Sequence, residues 1–369
     1  MKRIRLGDIA KIVTGKLNAN AAVENGKYPF FTCSKDILRI DNWAYDCECV
    51  LVAGNGDLNV KYYKGKFNAY QRTYVISLKK DTNYSTIFLF MFLQFYLEML
   101  RDKRIGAIVK FIKIGDLTEI KIPDISISEQ HKIVSFLDSE FEKIDALKAN
   151  AETQLQAAKD LFQKALKEML TPKEGWEKKT LDEISYDMFR GSGITREQIR
   201  NEGIACVRYG EIYTTYNYWF ENCVSHTDEQ IIKSPKYFEH GDILFAITGE
   251  SVEDIGKSIA YLGNEKCMAG GDIVVMKHNE NPKYLSYALA TPDAVAQKGF
   301  GKTKLKVVHT SIPSLKTIVV PIPSLKEQQA IADNLDTLSA KVKQLQENYN
   351  ETITLCNDLK QSLLKKIFE

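Results

Sequence analysis

Two stretches of the chain decide its architecture: Pro123-Asp124-Ile125-Ser126-Ile127-Ser128-Glu129-Gln130-His131-Lys132-Ile133 and, 198 positions later, Pro321-Ile322-Pro323-Ser324-Leu325-Lys326-Glu327-Gln328-Gln329-Ala330-Ile331. The correspondence runs on without a gap to Leu170 against Phe368, pairing Leu137-Asp138 with Leu335-Asp336, Leu147 with Leu345 and Leu166-Lys167 with Leu364-Lys365. A self-match of this length marks an internal duplication. The front ends correspond as well. Arg5-Leu6-Gly7-Asp8-Ile9 resembles Thr180-Leu181-Asp182-Glu183-Ile184, now at an offset of 175, so the interior of the second copy is 23 residues longer. Between these similar borders the two interiors differ, and one frame therefore carries two different variable domains.

Each repeated tail reads as a heptad helix. Leu335, Val342, Tyr349, Cys356 and Leu363 recur every seven residues, with Leu338, Leu345, Thr352 and Leu359 at the offset position. Leu137, Ile144, Ala151, Ala158 and Ala165 hold the equivalent line of the first tail, the seam pattern of paired helices. The short linker Thr171-Pro172-Lys173-Glu174-Gly175 ends the first helix and leaves no length for a parallel return, which would span roughly 50 Å. The expected architecture is α+β: two globular domains, 1–122 and 172–320, joined by two long antiparallel coiled-coil helices, 123–171 and 321–369, in a pseudo-two-fold internal repeat with a domain at each end of a helical rod. Within the domains, Cys49–Ala53 and Asp242–Ile247 read as strands, and Tyr84–Leu100 and Lys283–Ala290 as helices.

The 369 residues, 44% hydrophobic and 27% charged, suit a folded chain of two or three domains. No apolar run approaches the ~20 residues of a membrane span, and the N-terminus lacks the apolar region of a signal peptide. Seven scattered cysteines fit reduced thiols, and together these features suggest a cytoplasmic protein. Net charge is only +2, yet residues 1–120 carry 19 Lys/Arg against 12 Asp/Glu. The segment Ala294–Lys326 holds Lys298, Lys302, Lys304, Lys306, Lys316 and Lys326 with no acid. Both regions offer basic surface.

No catalytic constellation stands out. Ala296-Gln297-Lys298-Gly299-Phe300-Gly301-Lys302-Thr303 fits a relaxed phosphate-loop pattern, but a helix is expected before it and a strand after it, the reverse of what such a loop needs. Asn281-Pro282-Lys283-Tyr284 reads as a helix start. No Cys/His group has metal-ligand spacing. The residues suited to nucleic acid lie elsewhere. Lys61-Tyr62-Tyr63-Lys64-Gly65-Lys66-Phe67-Asn68-Ala69-Tyr70-Gln71-Arg72 interleaves bases, aromatics and amides without an acid, and Lys61, Tyr63, Lys64, Lys66, Asn68, Gln71 and Arg72 are candidates for phosphate and base contacts. Lys16, Asn18 and Asn20 join them in the first domain, with Arg190, Ser192, Arg208 and Tyr209 in the second. A loop carrying Lys302, Thr303 and Lys304 is a candidate for phosphate.

The doubled Pro-to-Glu-Gln border leading into a long helix closely resembles the DNA-specificity subunit of type I restriction–modification enzymes, over nearly the whole chain. Gly241-Asp242-Ile243-Leu244-Phe245, Thr248-Gly249-Glu250, Ile255-Gly256-Lys257 and the repeated Leu-x-x-Ile entry support the resemblance. It implies that each variable domain is a target-recognition domain reading half of a split DNA sequence, with Thr248, Glu250 and Lys257 in its loops, and that the helices set the spacing and dock modification subunits. In the first copy Gly54-Asn55-Gly56 stands where the second has Thr248-Gly249-Glu250. The resemblance also implies a non-catalytic chain without a cofactor of its own. S-adenosylmethionine and ATP would reside on methyltransferase and restriction–translocase partners. The rival readings are a coiled-coil adaptor linking two protein ligands and a stand-alone restriction enzyme.

Overall fold

A computed structural model of the chain describes residues 2–106, 110–252, 254–301 and 308–369. It divides into two compact units, Met1–Thr153 with Tyr349–Glu369, and Gln154–Asn348. The boundary falls inside both long helices, Ile127–Met169 and Leu325–Phe368. Each unit therefore holds one variable domain, the N-terminal half of one long helix and the C-terminal half of the other.

In the first unit a six-stranded sheet runs in the order Ala10–Thr14, Thr73–Leu78, Tyr45–Ala53, Val60–Ala69, Tyr28–Phe31, Leu38–Ile40. Only the contact of Tyr28–Phe31 with Val60–Ala69 is parallel. The run Cys49-Val50-Leu51-Val52-Ala53 is apolar throughout because both its faces are covered. Val50 and Val52 meet the helix Thr86–Asp102, while Cys49 and Leu51 meet Phe31 and Phe67. That helix starts two residues later than its sequence pattern suggests, since Ser85 caps it through Phe88 N–H.

The second unit contains two five-stranded sheets. One has the order Ser185–Arg190, Ile273–His278, Ile243–Ala246, Ser258–Tyr261, Trp219–Phe220; the other runs Ile199–Arg200, Ser225–Thr227, Ile204–Val207, Cys267–Ala269, Tyr237–Phe238. Ile243 and Phe245 face the long helices, and Leu244 and Ala246 face the second sheet. The Asn281 side chain accepts Tyr284 N–H (2.9 Å) to cap Pro282–Ala288, so the Asn-Pro pair is a helix start. Asp336 binds this domain to its helix. It accepts Trp219 Nε1–H (2.9 Å) and the Tyr287 hydroxyl (2.7 Å) and pairs with Lys283.

The repeated sequence signatures have a physical account. In each unit the entry Leu-x-x-Ile forms one helical turn, Leu6–Ile9 or Leu181–Ile184, whose leucine N–H donates to the residue just before the closing strand, Ile120 O (2.8 Å) or Ile318 O (2.9 Å). The long helices then begin with reciprocal caps. The Ser126 hydroxyl (2.7 Å) and N–H (3.0 Å) donate to Glu129, as the Ser324 hydroxyl (2.8 Å) and N–H (3.2 Å) do to Glu327, and these bonds, the hydroxyl's first, hold both carboxyls below the usual range. The glutamines that follow are fully buried. Gln130 accepts Ser85 N–H (2.9 Å) and donates to Asn83 O (2.8 Å) and Ile125 O (3.0 Å). Gln328 accepts Asn281 N–H (2.9 Å) and donates to Pro323 O (2.9 Å) and Glu280 (2.6 Å).

Within the first unit the helices run antiparallel. Leu137 shares a core with Leu364 and Phe368, Lys360 pairs with Asp145 (2.6 Å), and Lys148 donates to Asn357 (3.0 Å). Leu137, Ile144, Ala151, Ala158, Leu335, Val342 and Cys356 form the buried line. Along the offset line Leu338 and Thr352 are half-buried as the heptad predicts, but Leu345 and Leu359 are exposed, and Gln346, Ile353 and Lys360, four residues after a line position rather than three, are half-buried as well.

Gln130→Ala should strand a buried N–H and two carbonyls at a cost of about 1–3 kcal/mol per unpaired group. A lowered urea midpoint checks this. Gln130→Glu, which keeps the acceptor but loses both donors, should lower it further.

Candidate nucleic-acid interface

Both units build the same chain crossing from different side chains. In the first, Gly15 N–H donates to Thr73 O (3.1 Å), Gly54 N–H to Arg72 O (2.7 Å), and Ile112 N–H to Gly54 O (2.9 Å). In the second, Gly191 N–H donates to Ile273 O (2.9 Å), Ile247 N–H to Asp272 O (3.0 Å), and Thr310 N–H to Ile247 O (3.0 Å). The first segment passes so close to the turn that a Cβ at Gly15 would lie 2.1 Å from Ala69 O and one at Gly191 2.3 Å from Gly270 O. Glycine is obligatory at both.

The crossing in the first unit assembles one set of candidates. Gln71 N–H donates to Leu17 O (2.9 Å), which places Lys16 and Asn18 beside Gln71 and Arg72. All four side chains are exposed, as is Asn20. Lys and Arg there can meet phosphate, and the amides and guanidinium present the bidentate groups that read base edges.

The strand Val60–Ala69 splits the remaining candidates. Successive residues alternate faces, so Lys61 and Tyr63 point one way while Lys64, Lys66 and Asn68 point the other; the three lysines do not make one patch. The Lys61 ammonium donates to Ser34 O (2.6 Å) and Asn59, and burial pulls its pKa down. Tyr63 packs on Phe31 and Phe67. Asn68 is buried, donating to Asn42 (2.9 Å) and accepting Ala69 N–H (3.0 Å). Its polar atoms are spent on the fold. Lys64 and Lys66 remain exposed, one beside Glu48 (3.4 Å) and the other over the Trp43 ring (4.7 Å).

In the second unit the crossing opens into a groove of 910 Å³ lined by Arg190, Thr195, Arg196, Arg208, Tyr209 and Asp272, among others. Arg190 pairs with Asp272 (2.6 Å). Arg208 is steered by the buried Glu211 carboxylate, which accepts Arg208 Nε–H (3.2 Å) and the Ser225 hydroxyl (2.7 Å). Sequence reading missed Arg196, whose only sign is its position three residues after Gly193. Ser192 is buried, its hydroxyl donating to Ser234 O (2.7 Å). Lys257 donates inward to Tyr216 O (3.0 Å) and Tyr213 O (3.4 Å), and desolvation lowers its pKa. Both act in folding. Thr248 bonds His309 (3.1 Å) beside exposed Glu250.

Lys302, Thr303 and Lys304 lie outside the described residues. Lys298 leaves the expected basic surface: it is buried, donating to Leu289 O (2.7 Å) and Ser258 Oγ (3.2 Å). The helix Pro292–Gly299 runs into the phosphate-loop-like motif, so Gly299 closes a helix instead of opening one. Among the described residues no group of three His, Cys, Asp or Glu could hold a metal, and no helix is long and apolar enough to cross a membrane.

The model of the type I restriction modification DNA specificity domain matches twice, over residues 1–157 and 173–355. The chain belongs to that family. The specificity subunit of the type I restriction enzyme EcoDI from Escherichia coli is 27% identical over 399 residues, covering 100% of this chain and 87% of that protein. A chain solved in work on complex assembly and conformational transition of the type I restriction–modification system has a TM-score of 0.73 at 16% identity, covering 99% of this chain and 96% of its own. The HsdS subunit from Thermoanaerobacter tengcongensis gives 0.52 at 18% identity, covering 100% and 96%. As a specificity subunit the chain is non-catalytic and supplies DNA sequence recognition to a multi-subunit complex.

Full burial of Lys298 in the second specificity domain pulls its pKa from 10.5 to about 7. From about pH 7 to about 10.5 the unfolded chain therefore binds the extra proton, and Lys298 contributes a rise of stability with pH. Lys298→Met should remove this rise, as read from urea midpoints across the window. Parallel wild-type and variant curves would contradict it.

Proposed function

We propose that the chain reads a bipartite double-stranded DNA target, one half-site per specificity domain, with 1–122 and 172–320 as the readers and 123–171 and 321–369 as spacers. The observation that carries this reading is the crossing built twice on one backbone plan, presenting Gln71-Arg72 in one unit and Gly271-Asp272 in the other. A shared frame with different tips suits two different short sequences.

The long helices set the half-site separation in this reading and dock the methyltransferase subunits. The docking proposal draws on Leu147 and Leu161, exposed although apolar, and on their duplicates Leu345 and Leu359, likewise exposed, so that each unit carries one such leucine from each helix. Restriction–translocase subunits complete the assembly, S-adenosylmethionine and ATP reside on the partners, and the complex works in the cytoplasm.

Exchanging residues 10–110 for those of another such subunit should change one half of the methylated sequence only, as mapped by methylation-site sequencing of cells expressing the chain with its modification partner. Simultaneous change of both halves would defeat the reading. Within the first half-site, Arg72→Ala should cost ~1–3 kcal/mol at a single base pair. Lys16→Ala should instead weaken all sequences alike and reduce the salt slope by about 0.9. Binding titrations at several salt concentrations separate the two behaviours.

A further inference from the structure

Two arginines of the groove in the second unit are held by the same edge of the guanidinium. Arg208 Nε–H donates to Glu211 Oε1 (3.2 Å), and Arg208 Nη2 lies 3.2 Å from that same oxygen. Arg190 repeats the arrangement, its Nε donating to Gly271 O and its Nη2 to Asp272 Oδ1 (2.6 Å). Among the described residues nothing engages Nη1 of either side chain. The terminal fork, formed by Nη1 and the outer N–H of Nη2, is left to a ligand.

Arg208 has the firmer mount of the two. Its side chain and that of Glu211 are 32% and 8% exposed, against 61% and 38% for Arg190 and Asp272. The Glu211 carboxylate is itself fixed, accepting the hydroxyl of buried Ser225 (2.7 Å) and the backbone N–H of Arg208 (3.1 Å). Glycine at 270 leaves room for this course of the chain, since a Cβ there would lie 2.9 Å from Val207 O and 3.2 Å from Arg208 Cα.

A fork of parallel donors needs two acceptors side by side, which narrows the ligand. In the major groove guanine alone presents such a pair, O6 and N7; adenine sets a donor beside N7, cytosine shows a donor and thymine a single acceptor. Phosphate also offers paired oxygens. The carboxylate decides between them. Pairing with Glu211 offsets the charge by which an arginine attracts phosphate, while the direction of the free donors is kept. Arg196, exposed in the same groove and without such an anchor among the described residues, is the group suited to phosphate.

We propose that Arg208 reads the O6/N7 edge of a guanine in the half-site served by the second specificity domain, and that Glu211 is the positioning residue that aims it. This rests on the reading of the chain as a two-half-site DNA reader and adds to it the identity of one base and the pair of side chains that selects it.

The test uses the full chain assembled with its modification partner, titrated with cognate duplexes in which 7-deazaguanine, which lacks the N7 acceptor, replaces each guanine of the second half-site in turn. At one position wild-type binding should weaken about tenfold, and inosine, which keeps O6 and N7, should bind there as guanine does. Arg208→Ala and Arg208→Lys should both abolish the difference between guanine and 7-deazaguanine at that position, because an ammonium cannot supply the fork. Glu211→Gln, which keeps the buried shape without the charge, should narrow the ratio to about threefold and leave the base preferences of the first half-site unchanged. Sequence-selective binding with no guanine sensitive to loss of N7, or a full ratio retained by Arg208→Ala, would overturn the assignment while leaving the two-half-site reading intact. Arg208→Lys binding every duplex as wild type does would overturn it in favour of a phosphate contact. A ratio unmoved by Glu211→Gln would overturn the positioning role. An alanine variant that assembles poorly with the partner but, once assembled, keeps the full ratio would overturn it in favour of a protein contact. Absence of sequence-selective binding by the wild-type assembly would overturn both proposals.

Discussion

Each half of this molecule hangs on a carboxamide sealed from water. Gln130 and Gln328 stand at the point where a variable domain becomes a long helix, and each ties three polar groups from that junction into a single arrangement. In a buried site an unpaired backbone group is expensive, so the helix cannot swing relative to the domain helix capped by Ser85 or Asn281 without breaking several bonds together. The serine–glutamate caps beside them, Ser126 with Glu129 and Ser324 with Glu327, settle the first turn. A domain whose interior differs between copies can therefore be mounted on its helix in the same way.

The same economy governs the recognition surface. Backbone bonds fix the crossing at Gly15 and Gly191, while the side chains around it are released to differ. In the second domain Arg190 and Arg208 are already oriented by Asp272 and Glu211, so less conformational freedom remains to be lost when a ligand binds. In the first domain Gln71 and Arg72 sit on an exposed turn.

The duplication, the α+β class and the two long helices were legible because they depend on periodicity and on repeated border residues. The offset seam was legible at Leu338 and Thr352 and not at Leu345 and Leu359. Leucine at 345 and 359 satisfies a heptad pattern on paper, yet the helices turn Ile353 and the stem of Lys360 inward instead, since a pattern of apolar residues does not say which of two adjacent stripes meets the partner. Composition also failed to separate surface lysines from internal ones. Lys61, Lys257 and Lys298 look like basic surface in a linear reading, and each donates to backbone carbonyls, Ser34, Tyr216 and Leu289, that become neighbours only after folding. Asn68 and Ser192 disappeared from the recognition surface for the same reason. Arg196 entered the groove without a motif to announce it.

The split of both helices between units also imposes an order of events during synthesis. The aromatic seat made by Phe88, Phe92 and Phe95 is filled by Phe368 at ring separations of 5.6, 5.3 and 5.8 Å, and Arg3 donates to Phe368 O (3.1 Å). A nascent chain that has delivered everything up to Thr153 still lacks the segment that closes this seat. Roughly 200 more residues must be translated first, which at ~5–20 residues per second takes on the order of 10–40 s. During that wait the first unit presents uncovered aromatic surface, and its final stability arrives only with the last turns of the second long helix.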